Sequence, residues 1–195
     1  HGTPGVLTSI AARVTTIEHC SFWQPSGIQY EPEQGRRIAD VGIYVCPTIF
    51  QGMSKLLVQD PEQPWAVSHL ERQAARFDRV RRLVEQGVQL VSGSDAGVSC
   101  NTFADYPGDL ILTVEGIGLS PVYVLKSATS VAAEALGRRD LGVLAPGKAA
   151  DVLAVQGNPL HDIRALQAPR LVVARGRVVA CTPGAGDAGA PSHPW

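Results

Sequence analysis

Residues 32–49 read PEQGRRIADVGIYVCPTI, and the fold class turns on this stretch. Pro32–Val41 predicts a helix, Gly42 its C-terminal stop, and Ile43–Ile49 a short apolar run suited to a buried strand, with Pro47 near its end. A helix that passes through one glycine into a buried strand is one unit of an alternating α/β winding.

The neighbouring segments repeat the unit. Upstream, Val14–Cys20 (VTTIEHC) predicts a strand ending near His19. A helix from about Pro4 to Arg13 precedes it, with Thr3 as N-cap and Pro4 at the first helical position. Downstream, Gln51–Gln63 is a loop, and Glu62–Gln86 predicts a long amphipathic helix with Trp65, Leu70, Phe77, Val80 and Leu83 as its apolar stripe. Val88–Ser92 (VQLVS) is the third strand, broken at Gly93-Ser94-Asp95-Ala96-Gly97, where the backbone calls for small residues. Helices over Tyr106–Ile117 and Ser120–Leu136 follow, the second with Ser120 as N-cap and Gly137 closing its far end. Beyond Asp140 the pattern changes to short strands at Gly142–Pro146 and Ala150–Gln156, then an Arg170–Cys181 hairpin turning at Arg175-Gly176. The expected organisation is a partial α/β unit over 1–139, a β segment over 140–181, and a disordered Gly/Ala/Pro-rich tail over 182–195.

Composition narrows the function classes. A net charge of −1 over 195 residues gives no electrostatic reason to propose nucleic acid or an anionic membrane surface, and the apolar runs are too short to span a bilayer. Cys20, Cys46, Cys100 and Cys181 are widely spaced, which fits reduced thiols in a cytoplasmic protein better than a zinc knuckle or a disulfide framework. No secretory signal is visible. The chain opens with His1 on what reads as the end of an element, so a piece of a longer protein is expected.

In parallel α/β folds the chemistry sits at the C-terminal ends of the strands. Those ends carry Glu18 and His19, then Pro47 and Thr48, then Asp95. Histidine with carboxylate is a ligand set for divalent metals such as zinc. Spacing alone leaves the matter open, because such residues also serve as turn formers and structural hydrogen-bonders. Glu18 either orients a ligand or caps a neighbour. His69, His161 and Lys148 read as surface residues. A glycosidase-like pairing of Glu18 with Asp95 is an alternative that needs two carboxylates about 5–10 Å apart.

Several motifs occur together and in order: HGTPG at 1–5, TIEHC at 16–20, CPT at 46–48, GSDAG at 93–97, LKSATSVAAEALG at 125–137, LGVLAPGKAADVLAV at 141–155 and GNPLHDI at 157–163. As an ordered set they resemble the amidohydrolase superfamily, in particular its imidazolonepropionase-like and metal-dependent Xaa-Pro dipeptidase branch. The resemblance implies the C-terminal part of a TIM-like (β/α)8 metal-dependent hydrolase barrel, strands 6–8, with part of a small β-sandwich. It implies His19 as a metal ligand, Asp95 as both metal ligand and catalytic acid/base, and His1 and Thr48 on the substrate side. The expected cofactor is a divalent metal, Zn2+ by preference, as one or two ions. The expected substrate is a small amide, cyclic or linear, or a dipeptide-like molecule.

The departures from the family pattern are equally specific. The family's metal site also draws on a His-x-His from strand 1, a lysine from strand 4 and a histidine from strand 5, and this sequence has no His-x-His. The chain alone is therefore expected to bind metal poorly, and to self-associate or require a missing N-terminal half. The competing reading is a non-catalytic structural or interaction module that keeps the fold without the metal. Substrate choice is expected from the strand-end loops, with Phe22, Trp23, Phe50, Met53, Phe103 and Tyr106 as candidate pocket residues.

Overall fold

The computed structural model describes residues 1–49, 64–98 and 101–182, leaving aside the side chains of residues 64–71. Its first part alternates helix and strand. Helix α1 (Thr3–Ala12) leads to β1 (Thr16–Glu18), then to a small hairpin of β2 (Trp23–Gln24) and β3 (Gly27–Ile28). Helix α2 (Pro32–Val41) leads to β4 (Tyr44–Cys46), and helix α3 (Pro64–Glu85) leads to a short extended segment around Leu90.

β1 and β4 pair in parallel, with Ile17 opposite Val45 and Glu18 opposite Cys46. Val45 then bridges in parallel to Leu90, donating its N–H to Gln89 and accepting from Val91. The spatial order is thus β1, β4, segment 88–91, all running one way, which brings their C-terminal ends to a common rim.

Local sequence explains the helix ends. Glu31 and Gln34 form a reciprocal capping box at the start of α2, and Gly42 closes it at φ 75°. α1 departs from expectation: Gly2, not Thr3, is the N-cap, and Thr3 and Pro4 are its first helical residues. Gly2 is extended because it bridges to Trp23, which also takes the His1 carbonyl.

α4 (Tyr106–Glu115) follows a 3-10 turn over Phe103–Asp105. The expected helix over Ser120–Leu136 is two helices, α5 (Pro121–Ser127) and α6 (Ser130–Ala135). The break has a visible cause: the Ser127 carbonyl, which would continue the helix, accepts instead from Ser92 N–H at 3.0 Å. Ser120 does cap α5, accepting from Tyr123 N–H.

In the last third, β5 (Val152–Val155), β6 (Pro169–Ala174) and β7 (Arg177–Cys181) form a three-stranded antiparallel sheet in that order. Residues 142–146 form no strand. They are turned by Gly142 and Gly147, both at φ 81°, and tied by Ala149 N–H to the Asp140 carbonyl. The tail beyond Thr182 lies outside the described residues. Thr182 itself donates to the Arg170 carbonyl.

Two buried clusters hold the chain. The larger joins Val6, Ile10, Ile17, Ile38, Val45, Val80, Leu83 and Leu90, packing α1, α2 and α3 on the parallel strands. The smaller joins Leu110, Ile111, Val124, Ile163 and Leu166, tying α4 and α5 to the turn at Ile163–Gln167. The stripe expected on α3 holds at Val80 and Leu83, both fully buried; the side chains of Trp65 and Leu70 lie outside the described residues. Among the described residues no helix is long and apolar enough to cross a membrane.

Candidate functional site

Backbone strain concentrates on the rim. Among the described residues, seven non-glycine positions have positive φ, and five of them follow a parallel strand: His19 (64°), Cys20 (45°), Phe22 (50°), Thr48 (47°) and Asp95 (56°). Thr48 is β-branched, a residue type for which this conformation is a genuine outlier. Each such residue costs of order 1–3 kcal/mol and persists only where its surroundings over-determine it, commonly at functional sites.

His19 is held from two sides. Its N–H donates to the Cys46 carbonyl at 2.7 Å, extending the β1–β4 ladder by one bond. Its ring Nδ1 lies 2.6 Å from Thr48 Oγ1. The Thr48 hydroxyl proton is directed to the Pro47 carbonyl at 2.9 Å. With that proton directed to Pro47, Oγ1 can accept from Nδ1, which leaves Nε2 as the ring nitrogen outside this contact. A histidine held at one ring nitrogen in this way can ligate a metal through the other.

His1 stacks on His19, ring centroids 4.1 Å apart and planes 23° from parallel. Its Nδ1 lies 3.0 Å from Ser21 Oγ. Thr48, expected on the substrate side, is 6% exposed, and its hydroxyl is engaged by His19 and Pro47.

Cys46 lies between the outer strands. Its thiol donates to the Gly93 carbonyl at 3.9 Å, and burial, then the neighbouring Glu18 carboxylate and the charge of Asp95, push it up to about 12. One thiol thus feels the carboxylates that follow both flanking strands. Cys46 also explains Gly93: a Cβ added there would meet Cys46 Sγ at 2.7 Å. The glycine is required by close approach, whereas Gly97 is required by its φ of 110°. Asp95 is solvent-exposed, its αL conformation tolerable for aspartate.

Imidazole nitrogen and carboxylate oxygen suit a divalent cation. Among the described residues no group of three or more His, Cys, Asp or Glu is gathered for one. The donors fit a metal in chemistry and are incomplete in number.

The other sequence candidates fall apart. Phe22 is fully buried in the core, and Phe103 is 84% exposed on its turn. Trp23 is exposed on the hairpin, and Tyr106 donates its hydroxyl to Ser92 Oγ at 2.9 Å. Phe50, Met53, Cys100 and the side chain of His69 lie outside the described residues. His161 is exposed, and Lys148 donates to the Arg139 carbonyl. Three participants carried no sequence signal. Ser21 meets His1, and α3 sends Arg76 and Arg79 to the rim loops from within an ordinary amphipathic helix.

Comparison with known proteins gives this geometry a context. The profile of the amidohydrolase family matches residues 11–179. An imidazolonepropionase of Deinococcus deserti is 37% identical over 83 residues, 43% of this chain and 21% of that protein. The ochratoxinase of Aspergillus niger is 29% identical over 178 residues, 88% of this chain and 34% of that protein. The crystal structure of a Xaa-Pro dipeptidase with methionine bound in its active site superposes with a TM-score of 0.73 at 29% identity, over 91% of this chain and 43% of that one. The chain thus spans about a fifth to a third of the length of these curated relatives.

Proposed function

This chain belongs to the amidohydrolase family, and from that premise and the rim geometry we propose that it carries part of the active site of a hydrolase of carbon–nitrogen bonds. Its three parallel strands correspond in this reading to strands 6–8 of a (β/α)8 barrel, with residues 1–139 as the barrel part and 140–181 as a sandwich segment. The relatives named for an Xaa-Pro dipeptide, an ochratoxin and an imidazolone favour a small amide or dipeptide-like substrate.

The observation that carries the proposal is the contact of His19 Nδ1 with Thr48 Oγ1 at 2.6 Å. With Nδ1 so engaged, Nε2 is the nitrogen offered as a ligand at the rim that also bears Asp95. His19 and Asp95 would hold a divalent ion, zinc by the character of the donors. When bound, such an ion acidifies a water to a pKa of about 7 and polarises the substrate carbonyl.

The chain's own residues do the rest. Asp95 accepts the water's proton and returns it to the departing nitrogen, general base and then general acid. Thr48 keeps the His19 ring in one tautomer and so acts through His19. His1, stacked on that ring, shields it on the substrate side. Among the described residues no third ligand joins His19 and Asp95.

Equilibrium dialysis against Zn2+ tests the proposal. The chain should retain more zinc than its His19→Ala and Asp95→Asn variants. Equal retention by all three would favour the non-catalytic module, for which the absence of a three-ligand cluster among the described residues speaks.

A further inference from the structure

Helix α3 places two arginines three residues apart, and each reaches a different rim loop. Arg76 Nη2 donates to the Thr48 carbonyl at 2.5 Å and to the Pro47 carbonyl at 3.4 Å. Arg79 Nη1 donates to the Ser21 carbonyl at 3.0 Å. The loops they grip hold the histidine pair, because Thr48 receives the His19 ring and Ser21 meets the His1 ring. The two rings stack on each other. The contacts close a circuit: Arg76, Thr48, His19, His1, Ser21, Arg79, and back along one turn of helix.

We infer that Arg76 and Arg79 are positioning residues, a helix-borne clamp that fixes the two strained strand-end loops and thereby the orientation of the His1–His19 pair.

The burial of Arg79 argues that the clamp is built for this task. Arg79 is 2% exposed, and among the described residues its Nε and Nη2 have no hydrogen-bond partner. A guanidinium so placed is unfavourable by its own solvation. Burial, then repulsion from Arg76, lowers it to about 10, so it stays charged at neutral pH. Arg76 is likewise disfavoured first by burial, and the Asp109 charge offsets this in part. A merely apolar contact would be met by leucine or methionine without that penalty. A guanidinium can donate to a backbone carbonyl, which leucine or methionine cannot. The held carbonyls belong to Thr48, which has positive φ, and to Ser21, which lies between Cys20 and Phe22, both with positive φ.

The inference rests on the reading of His19 as a site residue, and its test separates the two. Histidine-ring 15N spectra of the 195-residue chain at pH 7 report the tautomer of His19 directly. The native chain should give one protonated and one unprotonated ring nitrogen on His19. In Arg76→Met and Arg79→Met the two shifts should converge toward their average as the ring is freed. Arg81→Met is the control, since Arg81 also donates from α3 to a backbone carbonyl, that of Ile117 at 2.9 Å, away from the histidines. It should leave the His19 shifts unchanged. If the methionine variants do not fold by circular dichroism, Arg76→Lys and Arg79→Lys keep the charge, lose the fork geometry, and should show the same convergence. Folded Arg76 and Arg79 variants with native His19 shifts would overturn the inference. Adding Zn2+ to the native chain reads the other claim. Zinc that leaves His19 untouched while the variants free the ring supports the clamp and defeats the metal reading. Zinc that shifts His19 while the variants do not overturns the clamp alone.

Discussion

The His19 ring and the Thr48 hydroxyl meet at 2.6 Å across the end of the β1–β4 ladder, and the Thr48 hydroxyl donates a hydrogen bond to the Pro47 carbonyl. This contact engages one imidazole nitrogen and leaves the other outside it.

Replacing Thr48 with valine keeps the shape and removes the acceptor. The His19 Nδ1 hydrogen then loses its partner in a half-buried position, at a cost of about 1 kcal/mol. Urea denaturation should show that loss, with His19 no longer confined to one tautomer in ring 15N spectra. An unchanged ring would mean that Thr48 does not orient it.

Gly93→Ala should destabilise the chain by about 1–3 kcal/mol, because its Cβ would meet Cys46 Sγ at 2.7 Å and the strand beneath has little room to yield. Gly5→Ala, in open space within α1, should be neutral or stabilising through helix propensity. Equal effects at the two positions would contradict the packing account.

Thiol chemistry should divide by burial. Cys20 and Cys46 are pushed up to about 12, both chiefly by burial, whereas Cys181 is exposed. At pH 8 iodoacetamide should label Cys181 rapidly, and Cys20 and Cys46 only on unfolding. Because the two folded-state values are raised, the neutral thiols favour the fold below about pH 9. That contribution is lost as pH rises from 9 toward 12. Stability measured over that window should fall, and less steeply in Cys46→Ser.

The apolar groove between α5–α6 and β5 should drive association. Leu125, Ala132, Leu136, Leu144, Val152 and Leu166 line it, with Leu136 73% and Leu144 79% exposed. Light scattering should show concentration-dependent oligomers, reduced in Leu136→Ser/Leu144→Ser. A monodisperse native monomer would contradict this.

The alternation of helix and strand was legible because it rests on strong local signals. Gly42 and Gly87 stop α2 and α3, Ser120 caps α5, and Ile43, Val45 and Val88 are buried as an apolar run requires. What was missed depended on distant partners. The break after Ser127 exists because Ser92 takes its carbonyl. The hairpin at Trp23–Ile28 has two-residue strands, too short for any period to register. At the site, the strand-end residues His19, Thr48 and Asp95 could be named from the end of each apolar run. The roles of Arg76, Arg79 and Ser21 could not, since nothing local separates a guanidinium that holds a loop from one that faces water. The partners of the Thr48 hydroxyl, His19 and Pro47, likewise carry no local signal of that contact.

The most direct test of the metal-site reading is a crystal of the 195-residue chain soaked in Zn2+, with anomalous diffraction recorded at the zinc edge. The account predicts a peak about 2.0–2.1 Å from His19 Nε2 and about 2.0–2.2 Å from a carboxylate oxygen of Asp95. Zinc bound only elsewhere, with the His19 ring and Asp95 too far apart to share it, would contradict the account.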